Sequence, residues 1–149
     1  RPARAALHAS LLLFAVGGVV GFLIRDVNTV IPAHYHGSIA GVTMAFMGLT
    51  YHLLPRLGFA SPTGWMARWQ PWVYAAGQLL HVAGLALSGY LGIQRKTAGA
   101  AQGLDSITKM LTMGVMGIGG LLAIIGGVLF VVVVIVAMYR RAAKAEACG

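Results

Sequence analysis

Pro32-Ala33-His34-Tyr35-His36-Gly37-Ser38-Ile39-Ala40-Gly41 opens an apolar run that continues to Leu54 and stops at Pro55. Pro32 suits the first turn of a helix, where its missing N–H costs nothing, and Pro55 cannot continue one. The run between them is long enough to cross a bilayer as a helix. Two histidines at i and i+2 on that helix point about 200° apart, so their imidazoles leave opposite faces and cannot chelate one ion. They can serve two. A helix in apolar surroundings that hands one neutral imidazole to each side suits a protein holding two heme irons, one against each face. Gly37 to Gly41 form a small-xxx-small face, which admits a neighbouring helix or a flat macrocycle.

Outward from this stretch the composition agrees. Of 149 residues 58% are hydrophobic and only 9% charged, a balance that a water-soluble domain of this size could not bury. The expected fold is an all-α integral membrane protein, a single partial membrane domain over 1–149. Four spans are predicted, at about 7–24, 33–54, 72–91 and 110–139. At ~1.5 Å per residue the last reaches about 45 Å, so it tilts or projects. The net charge of +8 would suggest nucleic acid in a soluble chain, but here the cations sit at span ends and set orientation, so no nucleic-acid partner is expected. With the N-terminus inside, Arg1, Arg4, Arg56, Arg68, Arg140, Arg141 and Lys144 lie inside, against Arg25, Arg95, Lys96 and Lys109 outside. Trp65, Trp69 and Trp72 then mark the inner interface, and His34 and His36 lie near the outer surface.

The other polar residues divide by position. His52 lies eighteen residues beyond His34, ~27 Å along the same helix, and is an inner-interface histidine. His8 is read likewise. His81 falls mid-span in the third helix, deeper than His36 by roughly 10 Å, so a bis-histidine heme from these two would be strained. Arg95 and Lys96 stand outside against the positive-inside tendency; heme propionates give them a reason, solvated loop charges the plainer alternative. Asp26, beside Arg25, holds a local salt bridge or joins a propionate and water network. Gly114, Gly117, Gly119, Gly120, Gly126 and Gly127 are expected to mark close helix contacts in the last span. Cys148, the single cysteine, receives no function. The chain starts at Arg1 with no signal peptide before the first span, which suggests processing or the C-terminal piece of something longer.

Val30-Ile31-Pro32-Ala33-His34-Tyr35-His36-Gly37, running into a span that ends Tyr51-His52-Leu53-Leu54-Pro55, resembles the tenth helix of subunit I of heme-copper oxidases. Gly89-Tyr90-Leu91-Gly92-Ile93-Gln94-Arg95-Lys96 resembles the outer end of the eleventh helix of that family, with its propionate-binding basic pair. On this resemblance the chain covers helices nine to twelve of a larger bundle. It implies that His34 is the proximal ligand of the high-spin heme and His36 an axial ligand of the low-spin heme. Pro32 and Leu53-Leu54-Pro55 look closer to the branch with the thermophilic oxidases. The His-Asp pair that many mitochondrial-type enzymes use for magnesium is replaced here by Asp26-Val27, so that site is doubtful. The copper-ligating histidines, the cross-linked tyrosine, the second low-spin ligand and the proton-uptake residues belong to earlier helices of the family.

The resemblance implies the C-terminal part, or a separately encoded C-terminal subunit, of a respiratory terminal oxidase reducing oxygen to water with proton translocation. Its partners would be the remaining subunit I helices or a split partner chain, a subunit II-like electron-entry subunit, and cytochrome c or a similar donor. The setting would be the cytoplasmic membrane of a prokaryote. A nitric oxide reductase of the same superfamily keeps the paired histidines and exchanges copper for iron. A different class of reading is a non-catalytic membrane subunit, or a diheme electron carrier without an oxygen site.

Overall fold

The computed structural model describes residues 1–146, with side chains as far as Arg140; Cys148 lies outside the described residues. The protein is all-helical. Its helices are α1 (Pro2–Phe22), α2 (Val30–Leu53), α3 (Trp65–Tyr90) and α4 (Ile107–Glu146), with a 3₁₀ turn at Gly99–Gln102 before α4. Two of them, α1 and α4 as far as Arg140, are long and apolar enough to cross a membrane. With 24 and 26 residues, α2 and α3 have crossing length, but their histidines, hydroxyls, amides and glycines dilute the hydropathy.

The third helix begins seven residues before the expected span. Trp65-Met66-Ala67-Arg68-Trp69-Gln70 continues the helical turn upstream of Pro71, which is buried inside α3. The proline leaves only the Ala67 carbonyl without its helical donor. Trp65, Trp69 and Trp72 therefore project from the first turns of a helix, all exposed, and not from a loop.

Packing is pairwise and antiparallel: α1 lies against α2 and α3 against α4, with looser contacts of α3 on α1 and α2. Small residues make both seams. A methyl at Gly37 would stand 2.6 Å from Gly17 Cα, one at Gly41 2.7 Å from Phe14 N, and one at Gly48 2.9 Å from Ala6 Cβ. Across the second seam, Gly77 meets Ala123, Gly84 meets Met116, and Gly126 meets Tyr74. On α3 the contact positions Gln70, Tyr74, Gly77, His81, Gly84 and Ser88 alternate steps of four and three, and Met116, Gly119, Ala123 and Gly126 of α4 do the same. That spacing averages ~3.5 residues, the period that keeps one stripe facing a partner along a left-handed supercoil.

The glycines of α4 do not all serve the seam. Gly119, Gly120 and Gly126 touch α3, whereas a methyl at Gly114, Gly117 or Gly127 would meet nothing within 4 Å. The expectation of close contacts at those three is corrected, because they fall off the seam stripe.

Buried polar groups tie the elements. Tyr51 Oη–H donates to Gln70 Oε1 at 2.9 Å, and Gln70 Nε2–H donates to the Gly126 carbonyl at 3.1 Å and to Met47 Sδ at 3.4 Å, joining α2, α3 and α4. Nearer the other end Ser88 Oγ–H donates to Thr112 Oγ1 at 2.9 Å.

Candidate functional site

α2 delivers the two histidines as their spacing requires. His34 turns toward α1, where its Nδ1–H donates to the Gly17 carbonyl at 2.8 Å. Gly21 makes room for the ring, since a methyl there would lie 2.8 Å from Nδ1. His36 turns away from that pair; its Nδ1–H donates to the Pro32 carbonyl one turn earlier, also at 2.8 Å. In both rings a carbonyl therefore fixes the tautomer and leaves the Nε2 lone pair available. This is the arrangement of a metal-bound imidazole, whose second nitrogen is held by an outer acceptor. His34 is half-buried and His36 exposed, the second ring lying at the edge of the seam between α2 and α3.

The depth expected for His81 is corrected. Its ring centroid lies 4.6 Å from that of His36, with planes tilted by 52°. The reason is the alignment of helix ends: Gly89, at the end of α3, packs on the backbone of Val30, the first residue of α2. His36 and His81 are then similar distances from the same end. His81 is itself anchored to α4, its Nδ1–H donating to the Met116 carbonyl at 2.9 Å beside Gly119 and Gly120. Rings this close leave no room for a heme between them, so the conclusion that these two do not form a bis-histidine pair stands on contact and not on depth.

Beside His36 a groove of about 160 Å³ runs between α2 and α3, lined by Tyr35, Ile39, Thr43, Tyr74 and Gln78. Gln78 Oε1 is buried there without a hydrogen-bond donor. Neither Gln78 nor Gln70 was singled out by sequence reading. The four-three spacing along α3, which puts Gln70, Tyr74 and His81 on one stripe, is the signal that identifies the seam residues.

The loops at the histidine end close over it. Thr29 N–H donates to the Ile93 carbonyl at 3.1 Å, Thr29 Oγ1–H to the Leu85 carbonyl at 2.9 Å, and Asn28 bridges Gln94. The turn carrying Arg95 and Lys96 is thereby fastened to the start of α2, the end from which His34 and His36 project. Arg95 is half-buried and its Nε–H is buried without an acceptor, whereas Lys96 is exposed with φ of 60°. An orphaned guanidinium N–H is a cost unless an anion or carbonyl meets it, which a propionate would. Asp26 is exposed, and the one ion pair found among the described residues joins Lys109 Nζ to Asp105 Oδ1 at 2.9 Å. His8 and His52 are exposed and lie in the opposite halves of their helices, apart from this site. Among the described residues no cluster of three or more His, Cys, Asp or Glu could hold an ion by itself.

The chain is similar to the uncharacterized protein RP382 of Rickettsia prowazekii (strain Madrid E), with 38% identity over 140 residues, 86% of this chain and 27% of that protein. It is also similar to an uncharacterized protein of Aquifex aeolicus (strain VF5), with 32% identity over 68 residues, 46% of this chain and 18% of that one. It thus spans about a quarter or less of the length of these curated relatives. No protein-family model matches the chain, and no solved structure matches it.

Proposed function

We propose that this chain forms the C-terminal part, as a segment or a separately encoded subunit, of the catalytic subunit of a heme-copper terminal oxidase, its four helices crossing the cytoplasmic membrane of a prokaryote. The observation that carries the proposal is the pair of imidazoles leaving α2 on different sides, each with Nδ1–H already given to a backbone carbonyl. A neutral histidine held this way is oriented to bind iron through Nε2. The match to only 27% of the longer Rickettsia protein agrees with a segment of a larger subunit.

The donor set fits two hemes and does not fit an isolated ion. His34 would hold the high-spin heme and His36 the low-spin heme, with Arg95 and Lys96 at their propionates. Bound there, the two hemes would supply the one-electron redox chemistry that oxygen reduction needs. Within this chain, Gly17 and Pro32 orient the two imidazoles, and Gly21 leaves space for the His34 ring against α1. The exposed face of α2 around Tyr35, His36 and Ile39 is where remaining helices or a partner chain would pack. Copper, its ligands and the second low-spin ligand would come from those elements, and electrons from a subunit II-like partner fed by cytochrome c or a similar donor.

The test is a pair of substitutions in the whole protein. His34→Ala removes the heme that binds carbon monoxide, and His36→Ala removes the six-coordinate low-spin spectrum. If both variants erase the same optical and electron-resonance signal, or neither erases any, the assignment fails.

A further inference from the structure

Five arginines crowd the end of the bundle opposite His34: Arg1, Arg4, Arg56, Arg68 and Arg140, all exposed. The carboxylates with described side chains, Asp26 and Asp105, both lie at the other end, so among the described side chains none of these cations has an acidic partner. Trp65, Trp69 and Trp72 project from the first two turns of α3 at this end, 68%, 57% and 46% exposed, as residues at a membrane–water boundary do. Within this end a groove of about 390 Å³ runs between α1 and α2. Arg4 and His52 line it together with the exposed Leu7 and Leu49, and with Ala45 and Gly48. The groove exists because α1 and α2 are drawn together at Gly48 against Ala6, leaving a shallow channel in place of side-chain bulk. His52 is shared with an adjoining cavity of about 410 Å³ that also includes Arg1.

We infer that this groove binds an anionic phospholipid, its phosphodiester held by Arg4 and His52 and one acyl chain lying along Leu7 and Leu49. Cation and imidazole at one level, with apolar walls below, match a lipid in which charge and hydrocarbon are joined. Free phosphate would use only the first half. The five arginines at this end select a lipid of net negative charge over a zwitterionic one, whose own cation would be repelled. The inference rests on the membrane reading and is independent of heme binding.

The experiment uses the full protein purified in detergent, delipidated, and offered phosphatidylglycerol, phosphatidylcholine or inorganic phosphate, with retained ligand read by native mass spectrometry. Phosphatidylglycerol is expected to be retained over phosphatidylcholine, with no stable phosphate adduct. Arg4→Gln weakens retention about fivefold, the loss expected for one cation at an anionic surface. Ala45→Phe, at an exposed position that fills the groove and leaves the charge unchanged, weakens it comparably, while Arg56→Gln, outside the groove, does not. Equal retention of both lipids, phosphate bound as well as phosphatidylglycerol, or indifference to Arg4→Gln and Ala45→Phe would each overturn the site. Recovery of the protein in the soluble fraction of cells would instead overturn the membrane reading beneath it.

Discussion

Gln70 is completely buried, and its amide on α3 satisfies partners on α2 and α4 at once. Gln70→Leu keeps the volume but leaves the buried Tyr51 hydroxyl without its partner, costing about 1 to 3 kcal/mol, and removes the second hydrogen bond of the Gly126 carbonyl. A lowered unfolding temperature in detergent checks this; an unchanged one would mean that water replaces the amide. Arg95 carries the redox prediction. On the proposed heme assignment, a cation near a heme favours the reduced state, so Arg95→Gln is expected to lower at least one midpoint potential while heme content stays near normal. At ~10 Å and an effective dielectric near 20 the bound is about 1.7 kcal/mol, reduced further by screening. Redox titration decides, and unchanged potentials would return Arg95 to a solvated loop charge. The divergence of His34 and His36 was legible in the sequence because two residues on one helix have a fixed angular relation. The His36 and His81 contact was not. It depends on how the end of α3 meets the start of α2, which hangs on loop hydrogen bonds such as Thr29 to Ile93.

At the scale of elements, the seams make predictions that distinguish one glycine from another. Gly126→Val forces a side chain into Tyr74, whose Cα stands 2.6 Å from the added carbon, and is expected to separate α3 from α4. Gly117→Ala meets open space and, in a helix interior, is expected to stabilise α4 by about 0.5 to 1 kcal/mol. Thermal unfolding of the two variants reads the contrast directly. The start of α4 has a pH dependence of its own. Lys109 beside it holds the exposed Asp105 carboxyl below its ordinary value, and Ser106 Oγ accepts the Lys109 N–H at 3.3 Å. A carboxyl depressed in the folded state contributes stability above its unfolded value and loses it as pH falls through the folded one. Amide exchange in the first turn of α4 is therefore expected to rise only below about pH 4, with the rest of the helix unaffected. Helix number and approximate place were legible from apolar runs. The early start of α3 was not, because the three tryptophans read as an interface until Gln70 is seen to belong to the core.

At the scale of the molecule, the proposed topology puts both ends of the chain inside and the segment carrying Arg95 outside. A cysteine at Ala98, in a Cys148→Ser background, is expected to react with an impermeant reagent added to the outer side of intact cells. Reaction only after access from the cytoplasm would reverse the orientation. The pairing of the helices bears on how such a chain enters a bilayer at all. α1 and α4 carry the hydropathy, and each is the seam partner of a helix, α2 or α3, that carries the polar side chains. On the membrane reading the protein is thus two hairpins, each made of one strongly partitioning helix and one weakly partitioning helix. During synthesis α1 would already be in lipid when α2 emerges, giving its histidines a partner surface instead of hydrocarbon. α3 would have to wait at the insertion machinery for α4, which makes the second hairpin the slower half of assembly.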